Sequence, residues 1–210
     1  MPFDVGEVER LLTTTRTVRK RLDFERDVSD EVLLHLIDVA EQAPSGSNQA
    51  SRRWLVIRDD ATKRRIAELY REGGLGLLKG LADAAPADGN GTEKVLSSAI
   101  HLAENLERVP ALVLLTIWGI HDGSGKPSLF DSSIQAGWSF CLAARARGIG
   151  TAWTTLHLER APEVAAALDI PPGVSQIALF PVAYTIGTGF KPAKRPPAES
   201  ITSWNTWGQL

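Results

Sequence analysis

The stretch Ala111-Leu-Val-Leu-Leu-Thr-Ile-Trp118 decides the fold class of this 210-residue chain. It contains a single polar residue, Thr116, and it is far shorter than the ~18 apolar residues that a membrane-spanning helix needs. An apolar run of this length predicts a strand whose two faces are both buried. The segments on either side of it predict helices and further strands.

Helical periodicity surrounds this strand. Apolar residues recur on one face between Val28 and Ala43, where Ser29 is suited to cap a helix and Pro44 to stop it. Leu129 to Arg147 predicts a long helix that is apolar nearly all round, and therefore central, ended by Gly148. Further helices are predicted before Thr13, over 61–72, over about 93–107 and after Pro162, and further strands over Trp54–Ile57, Ile149–Trp153 and Ile177–Ile186. This order predicts an α+β or an α/β domain, and spacing alone does not choose between them.

Three segments lack such periodicity. Residues 73–92 are rich in Gly, Ala and Asp and predict a mobile loop or lid. Residues 119–128 contain glycines and a proline and predict a break between strand and helix. Beyond Gly187 the chain becomes an arm whose Trp204 and Trp207 would be costly to leave in water. The arm is therefore expected either to fold back or to lie across a partner subunit.

Composition and charge speak against several classes of protein. Lys and Arg total 23 against 25 Asp and Glu, and the formal net charge of -2 disfavours binding to nucleic acid or to an anionic membrane. The single cysteine, Cys141, excludes an intramolecular disulfide framework and a cysteine-rich zinc site. The histidines at 35, 101, 121 and 157 lack the spacing of a metal site. An acidic N-terminal segment in place of a signal peptide predicts a cytoplasmic protein.

Two polar clusters early in the chain could carry a function. In Thr13 to Arg21, hydroxyls alternate with guanidiniums, which suits a phosphate because arginine binds its oxygens bidentately and threonine completes the contacts. A solvated basic turn is the alternative. The loop Pro44-Ser45-Gly46-Ser47-Asn48 could approach a flat heterocycle, although the same residues also suit a plain turn.

Two further clusters lie later in the chain. Gly148 to Thr155 combines glycine-rich backbone with threonines and an indole, and Lys194 with Arg195 places positive charge in the arm, where simple solvation is the alternative. No dinucleotide-binding glycine motif, P-loop or nucleophile elbow occurs. Cys141 lies in an apolar helix, where burial would raise its pKa. Covalent catalysis by a side chain is therefore not supported.

Taken in order, these clusters resemble the flavin-dependent nitroreductase family over nearly the whole chain. The family's R-[ST]-x-R motif is matched by Arg16-Thr17-Val18-Arg19, and its more specific A-P-S-G-x-N motif by Ala43 to Asn48. A central helix that ends in G-[IL]-G-T-x-W is matched by the helix leading to Gly148–Trp153. A later strand is matched by Phe180-Pro-Val-Ala-Tyr184.

The resemblance implies an α+β fold with a mixed, mainly antiparallel sheet flanked by helices, in a single domain spanning residues 1–210. It also implies an intertwined homodimer that holds FMN at the subunit interface and exchanges C-terminal arms of about residues 188–210. The chain departs from the family at Thr15, where a further arginine is frequent, and at Ala50–Arg53, where many members have Pro-Trp. It has Thr155-Leu156 where Glu-Gly or Gly-Gly is common.

Residue by residue, the resemblance implies a cofactor site with no catalytic side chain and no metal. Arg16, Thr17 and Arg19 would hold the FMN phosphate and ribityl chain, and Lys194 or Arg195 would add charge from the arm. The residues expected to line the ring are Pro44, Ser45, Gly46, Ser47 and Asn48, and those expected near its N5 are Trp153, Thr154, Thr155 and Leu156.

The activity that the resemblance implies is transfer of hydride from NAD(P)H to the flavin N5. Reduction of a nitroaromatic, a quinone or an activated alkene would follow in a ping-pong cycle. Arg19 would stabilise the anionic reduced flavin. Three alternatives stay open. They are a sister enzyme (ene-type reductase, dehalogenase or flavin-fragmenting enzyme), a flavin-binding module without turnover, and a purely structural dimer.

Overall fold

The computed structural model of the chain describes residues 3–85, 91–119 and 129–208. The chain divides into two units, Arg16–Thr188 and a smaller one that combines Met1–Thr15 with Gly189–Leu210. The larger unit contains the sheet and the predicted site clusters up to Leu156. The predicted exchange of arms between subunits concerns the smaller unit and stays a prediction.

Four strands form one sheet in the larger unit. They are β1 (Arg52–Ile57), β2 (Ala111–Trp118), β3 (Ile149–Thr151) and β4 (Val174–Tyr184). Their order across the sheet is β1-β2-β4-β3, and each neighbouring pair is antiparallel. β2 is buried along its length except at Trp118, which confirms the predicted strand with its bounds. The antiparallel pairing identifies the fold as α+β, and the alternative of an α/β domain is wrong.

Several helix boundaries coincide with local sequence signals. The described residues form α1 (Val5–Thr14, in the smaller unit), α2 (Asp30–Ala40), α3 (Asp60–Asp83), α4 (Thr92–Asn105), α5 (Leu129–Ala146) and α6 (Ala161–Ala167). The Ser29 hydroxyl caps α2 by accepting a hydrogen bond from the Val32 N–H at 3.4 Å. Gly148 follows α5 with a φ of 72°, and Pro162 lies in the first turn of α6. The predicted cap and both predicted boundaries are confirmed.

One face of the sheet carries the core that packs against α2 and α5. Val113 and Phe180 lie in this core with Leu36 of α2 and Phe140 of α5. The side of α5 that faces away from the sheet leaves Trp138 44% exposed and Ile134 53% exposed. α5 is therefore buried on the side toward the sheet, and the expected burial of its other side stays a prediction.

Residues 73–83 belong to α3, so the prediction of a loop or lid over 73–92 is wrong for that part of the segment. A Cβ atom at Gly74 would lie 2.4 Å from Leu156 Cδ2, and one at Gly73 would lie 2.5 Å from the Leu156 carbonyl oxygen. The two glycines therefore serve a close approach between α3 and Leu156. Residues 86–90 and 120–128, in two of the predicted loops, lie outside the described residues.

The C-terminal arm contains one regular element, a 3₁₀ turn over Ala198–Ile201, among its described residues. Trp204 is 74% exposed and Trp207 is 99% exposed, so neither indole is buried by this chain alone. Among the helices that the structure describes, none has the length and apolar character to cross a membrane.

Candidate functional site

The segment Arg16–Arg19 lies along the outer edge of β3. The Val18 N–H donates a hydrogen bond to the Thr151 carbonyl at 2.8 Å, and Val18 itself is buried. A Cβ atom at Gly150 would lie 2.9 Å from Val18 Cβ, so the absence of a side chain there permits the approach. The segment is thereby fixed with Arg16 and Arg19 on either side of a buried anchor.

Arg16 and Arg19 are half-buried cations without a carboxylate partner among the described residues. Arg19 Nη1 donates to Ser98 Oγ at 3.2 Å, which is a neutral acceptor. Burial lowers the pKa of Arg19, because the surroundings disfavour its charge. A half-buried guanidinium that lacks a counterion favours the binding of an anion.

Tyr70 links this segment to a second predicted cluster. Its side chain is buried in α3, and its hydroxyl shares a hydrogen bond of 2.5 Å with the Thr154 hydroxyl. Burial raises the pKa of Tyr70, while Thr154 and the charge of Arg19 act in the opposite direction. Arg19 and Thr154 thus share Tyr70 as a neighbour. The sequence places Tyr70 only within the helix predicted over 61–72.

The side chains of the predicted stretch from Trp153 to Leu156 point in different directions. The Trp153 indole packs edge-on against Phe180, with ring centroids 5.3 Å apart, and would be 2.4 Å from a Cβ at Gly137. Leu156 packs on α3, as described above. Thr155 is exposed. The Trp153 and Leu156 side chains therefore serve packing, and a ligand would reach this stretch through its main chain or through Thr155.

The loop Pro44–Asn48 contains a 3₁₀ turn over Gly46–Asn48. The Gly46 N–H donates to Ser132 Oγ of α5 at 2.8 Å, which attaches the loop to that helix. Asn48 is exposed and has a φ of 53°, a left-handed conformation that Asn tolerates better than most residues. Pro44 and Gly46 are also exposed. The loop is therefore attached to α5 while Pro44, Gly46 and Asn48 stay exposed.

Arg52 supports this loop from behind, a role that no motif in the sequence indicates. Its guanidinium donates to both Glu41 carboxylate oxygens at 3.1 and 3.3 Å and to the carbonyls of Ala43 and Pro44 at 3.0 and 3.2 Å. It also donates to the Ser132 carbonyl at 3.1 Å. The available signal was a basic pair, Arg52-Arg53, where the resemblance leads one to expect Pro-Trp.

The two basic residues of the arm belong to the smaller unit. Lys194 and Arg195 are both exposed, and Arg195 Nη1 donates to the Lys194 carbonyl at 3.3 Å. Their predicted contribution to a phosphate site stays a prediction.

Two buried groups that could be mistaken for catalysts are held in inert forms. Burial raises the pKa of Cys141 to about 11, which confirms the expected effect of its apolar helix. Burial lowers the pKa of His157 to about 4, and neither ring nitrogen has a hydrogen-bond partner among the described residues. At neutral pH the thiol is protonated and the imidazole is uncharged.

Comparison with known proteins yields one family and many similar folds. Residues 12–184 match the Nitroreductase family. Oxidised iodotyrosine deiodinase bound to FMN and 3-iodo-L-tyrosine is similar with a TM-score of 0.72 and 21% identity over 95% of this chain and 100% of that chain. A BluB-like flavoprotein from Clostridium difficile is similar with a TM-score of 0.69 and 21% identity over 95% of this chain and 99% of that chain. A nitroreductase with bound FMN from Desulfitobacterium hafniense is similar with a TM-score of 0.66 and 19% identity over 95% of this chain and 98% of that chain.

Proposed function

Because the chain belongs to the nitroreductase family, we propose that it is an FMN-dependent oxidoreductase. It takes hydride from NAD(P)H and reduces an electron-poor acceptor such as a nitroaromatic, a quinone or an activated alkene. Bound FMN supplies the hydride chemistry, and the protein supplies position, charge and access. Two solved structures of similar fold contain FMN, which supports the choice of cofactor.

The observation that carries the proposal is the pair of half-buried guanidiniums beside β3. Arg16 and Arg19 have no carboxylate partner in the described part of the chain, so the site has positive charge to offer an anion. The exposed Thr17 hydroxyl adds a neutral donor between them. This donor set fits the phosphate of FMN, because arginine matches phosphate oxygens bidentately and a hydroxyl completes the contacts.

The remaining predicted residues would hold the rest of the cofactor. Pro44–Asn48 offers an exposed loop for the ring, and the main chain between Trp153 and Leu156 would face its reactive edge. Arg19 would favour the negative charge that reduction places on the ring. Lys194 or Arg195 would add charge to the phosphate from the arm of either subunit.

Acid–base catalysis by Cys141 or His157 is not part of the proposal. Both side chains are buried, and burial raises the pKa of Cys141 and lowers the pKa of His157, which favours the uncharged form of each. The protein's contribution is instead to orient two substrates in turn at one place and to limit the access of water. Alternating use of one place predicts ping-pong kinetics, with parallel lines in double-reciprocal plots.

A homodimer is part of the proposal, because the chain alone leaves large apolar side chains in water. Ile134 and Trp138 form one exposed stripe on α5, and Trp204 and Trp207 are exposed in the arm. A second copy that covers these side chains would remove their unfavourable hydration. Light scattering of the purified protein is expected to give about twice the chain mass of 22.8 kDa.

The decisive experiment is an absorbance spectrum of the purified protein, with identification of the released chromophore. We expect FMN, and we expect NADH or NADPH to bleach it under anaerobic conditions. A panel of nitroaromatic, quinone, activated alkene and halogenated aromatic acceptors then tests turnover. A protein that stays colourless after reconstitution with FMN would contradict the proposal. A yellow protein that neither nucleotide reduces would support a flavin-binding module instead.

A further inference from the structure

Arg52, the first residue of β1, carries the most extensively hydrogen-bonded guanidinium that the structure describes. Its side chain is 4% exposed, whereas the side chain of its ion-pair partner Glu41 is 36% exposed. Such a buried cation is expensive to desolvate, and it is tolerated only when its donors are satisfied. Hydrogen bonds to carbonyl groups therefore stabilise the buried Arg52 in addition to its salt bridge.

Those hydrogen bonds go to the main chain that forms the predicted ring-binding loop. Arg52 donates to the carbonyls of Ala43 and Pro44, and to the carbonyl of Ser132 in α5. Ser132 also accepts a hydrogen bond from the Gly46 N–H. The entry to the loop is thus joined to α5 at one residue by two independent contacts.

Arg52 does not face a ligand. Its nearly complete burial keeps solvent and cofactor from its guanidinium, while Pro44, Gly46 and Asn48 remain exposed on the loop. Glu41, the counterion, also accepts a hydrogen bond from Trp54 Nε1 at 2.7 Å, so the carboxylate is held in place from two sides. Any effect of Arg52 on a bound molecule must pass through the loop.

We propose that Arg52 is the positioning residue of the Pro44–Asn48 loop, whose guanidinium pre-forms this loop for the flavin ring. The inference rests on the proposed function, since it takes FMN as the molecule that the loop contacts. A pre-formed loop retains a ligand longer, because no ordering is needed on binding. The affinity for FMN and the environment of its ring therefore depend on a side chain that never touches the cofactor.

The test uses the full-length protein with Arg52→Lys, which keeps the charge but removes the planar fork that reaches several acceptors at once. We expect FMN to dissociate about tenfold faster, in keeping with the loss of charge-assisted hydrogen bonds. We also expect the fine structure of the long-wavelength absorption band of bound FMN to broaden. Glu41→Gln, a milder change of the same network, is expected to shift both readouts in the same direction.

Arg71→Lys provides the matched control. Arg71 is also a partly buried arginine, with a Glu107 carboxylate at 2.8 Å and the Ala103 carbonyl at 3.3 Å, but these partners are not in the loop. The thermal unfolding midpoint of each apoprotein measures the general loss of stability. Arg71→Lys is expected to lower that midpoint without a change in FMN dissociation rate or spectrum.

The possible results separate the two proposals. Wild-type protein that binds FMN, together with Arg52→Lys and Glu41→Gln variants that bind it with unchanged rate and spectrum, would overturn the positioning role alone. An equal acceleration of FMN release in Arg71→Lys would overturn it too, because the effect would follow stability. Wild-type protein that fails to bind FMN would overturn the proposed function and, with it, this inference. If Arg52→Lys does not fold, Glu41→Gln decides the question.

Discussion

The arginines at the two edges of the sheet differ in burial and in their hydrogen-bond partners. At the start of β1, Arg52 is buried against the Glu41 carboxylate and four carbonyl groups. Beside β3, Arg16 and Arg19 are half-buried without a carboxylate partner among the residues that the structure describes. The protein itself pairs the first cation, and under the proposed function the other two would pair with the FMN phosphate. The difference in pairing thus distinguishes a structural arginine from the two arginines that we propose for binding.

The largest expected effect concerns the stability of the apoprotein. Arg52→Ala is expected to lower the free energy of unfolding by about 3–5 kcal/mol, because it leaves Glu41 and several carbonyls without their partner. Arg19→Ala is expected to change it by less than about 1 kcal/mol, since no ion pair is lost. Urea denaturation of both variants measures the difference. Equal losses would remove the distinction between the two edges.

Lowering the pH is expected to reduce the stability of the folded protein through His157, the residue after Leu156. Its pKa is about 4 in the folded protein against 6.5 for the exposed imidazole, so the unfolded chain takes up the proton first. Stability is therefore full above pH 6.5 and falls by up to about 3 kcal/mol as the pH drops toward 4. Urea denaturation across this range should show a shallower pH dependence for His157→Leu than for wild type. Identical slopes would mean that His157 does not contribute.

The next effect concerns the cofactor. Arg16→Ala and Arg19→Ala are each expected to weaken FMN binding by about 10- to 100-fold, which corresponds to one or two charge-assisted hydrogen bonds. Lys20→Ala is the control, because Lys20 is adjacent and exposed and donates to Ser97 Oγ at 2.8 Å. Fluorescence titration of the apoproteins with FMN gives the dissociation constants. A loss in Lys20→Ala as large as in the other two would indicate a diffuse basic surface.

The smallest expected effect tests the link through Tyr70. Tyr70→Phe removes one hydrogen bond to the buried Thr154 hydroxyl and is expected to lower stability by about 1 kcal/mol. In a double-mutant cycle with Thr154→Val, the two losses should be less than additive, because both variants remove the same bond. Urea denaturation of the four proteins provides the coupling. Full additivity would show that the hydroxyls do not interact.

The parts of the fold that local signals determine were predicted well. β2 was predicted to the residue because an apolar run flanked by Pro110 and Gly119 has few other solutions. The cap at Ser29 was also predicted, since its partner is three residues away. The prediction of a loop or lid over 73–92 is wrong for 73–83. Gly73 and Gly74 permit the close approach of Leu156, which is distant in sequence, and they do not mark a loop.

The candidate site shows the same division between local and distant partners. Phosphate chemistry could be predicted for Arg16, Thr17 and Arg19 from residue types alone. The role of Arg52 could not, because Ser132, one of its acceptors, is 80 residues away. Tyr70 was hidden for a related reason: its hydroxyl meets Thr154, which is 84 residues away. The predicted binding residues lie close together in one short motif, whereas Arg52 and Tyr70 have partners far away in the sequence.

The hydrogen bond from the Trp54 indole to Glu41 gives the chain an internal optical probe. Trp54 Nε1 donates to the same carboxylate that Arg52 binds, so a change in the position or charge of Glu41 alters the environment of the indole. The chain has six tryptophans, and replacement of Trp204 and Trp207 would remove the two most exposed emitters. Trp54 would then be one of four remaining emitters, and a change at Glu41 would alter its share of the emission with no label attached to the protein.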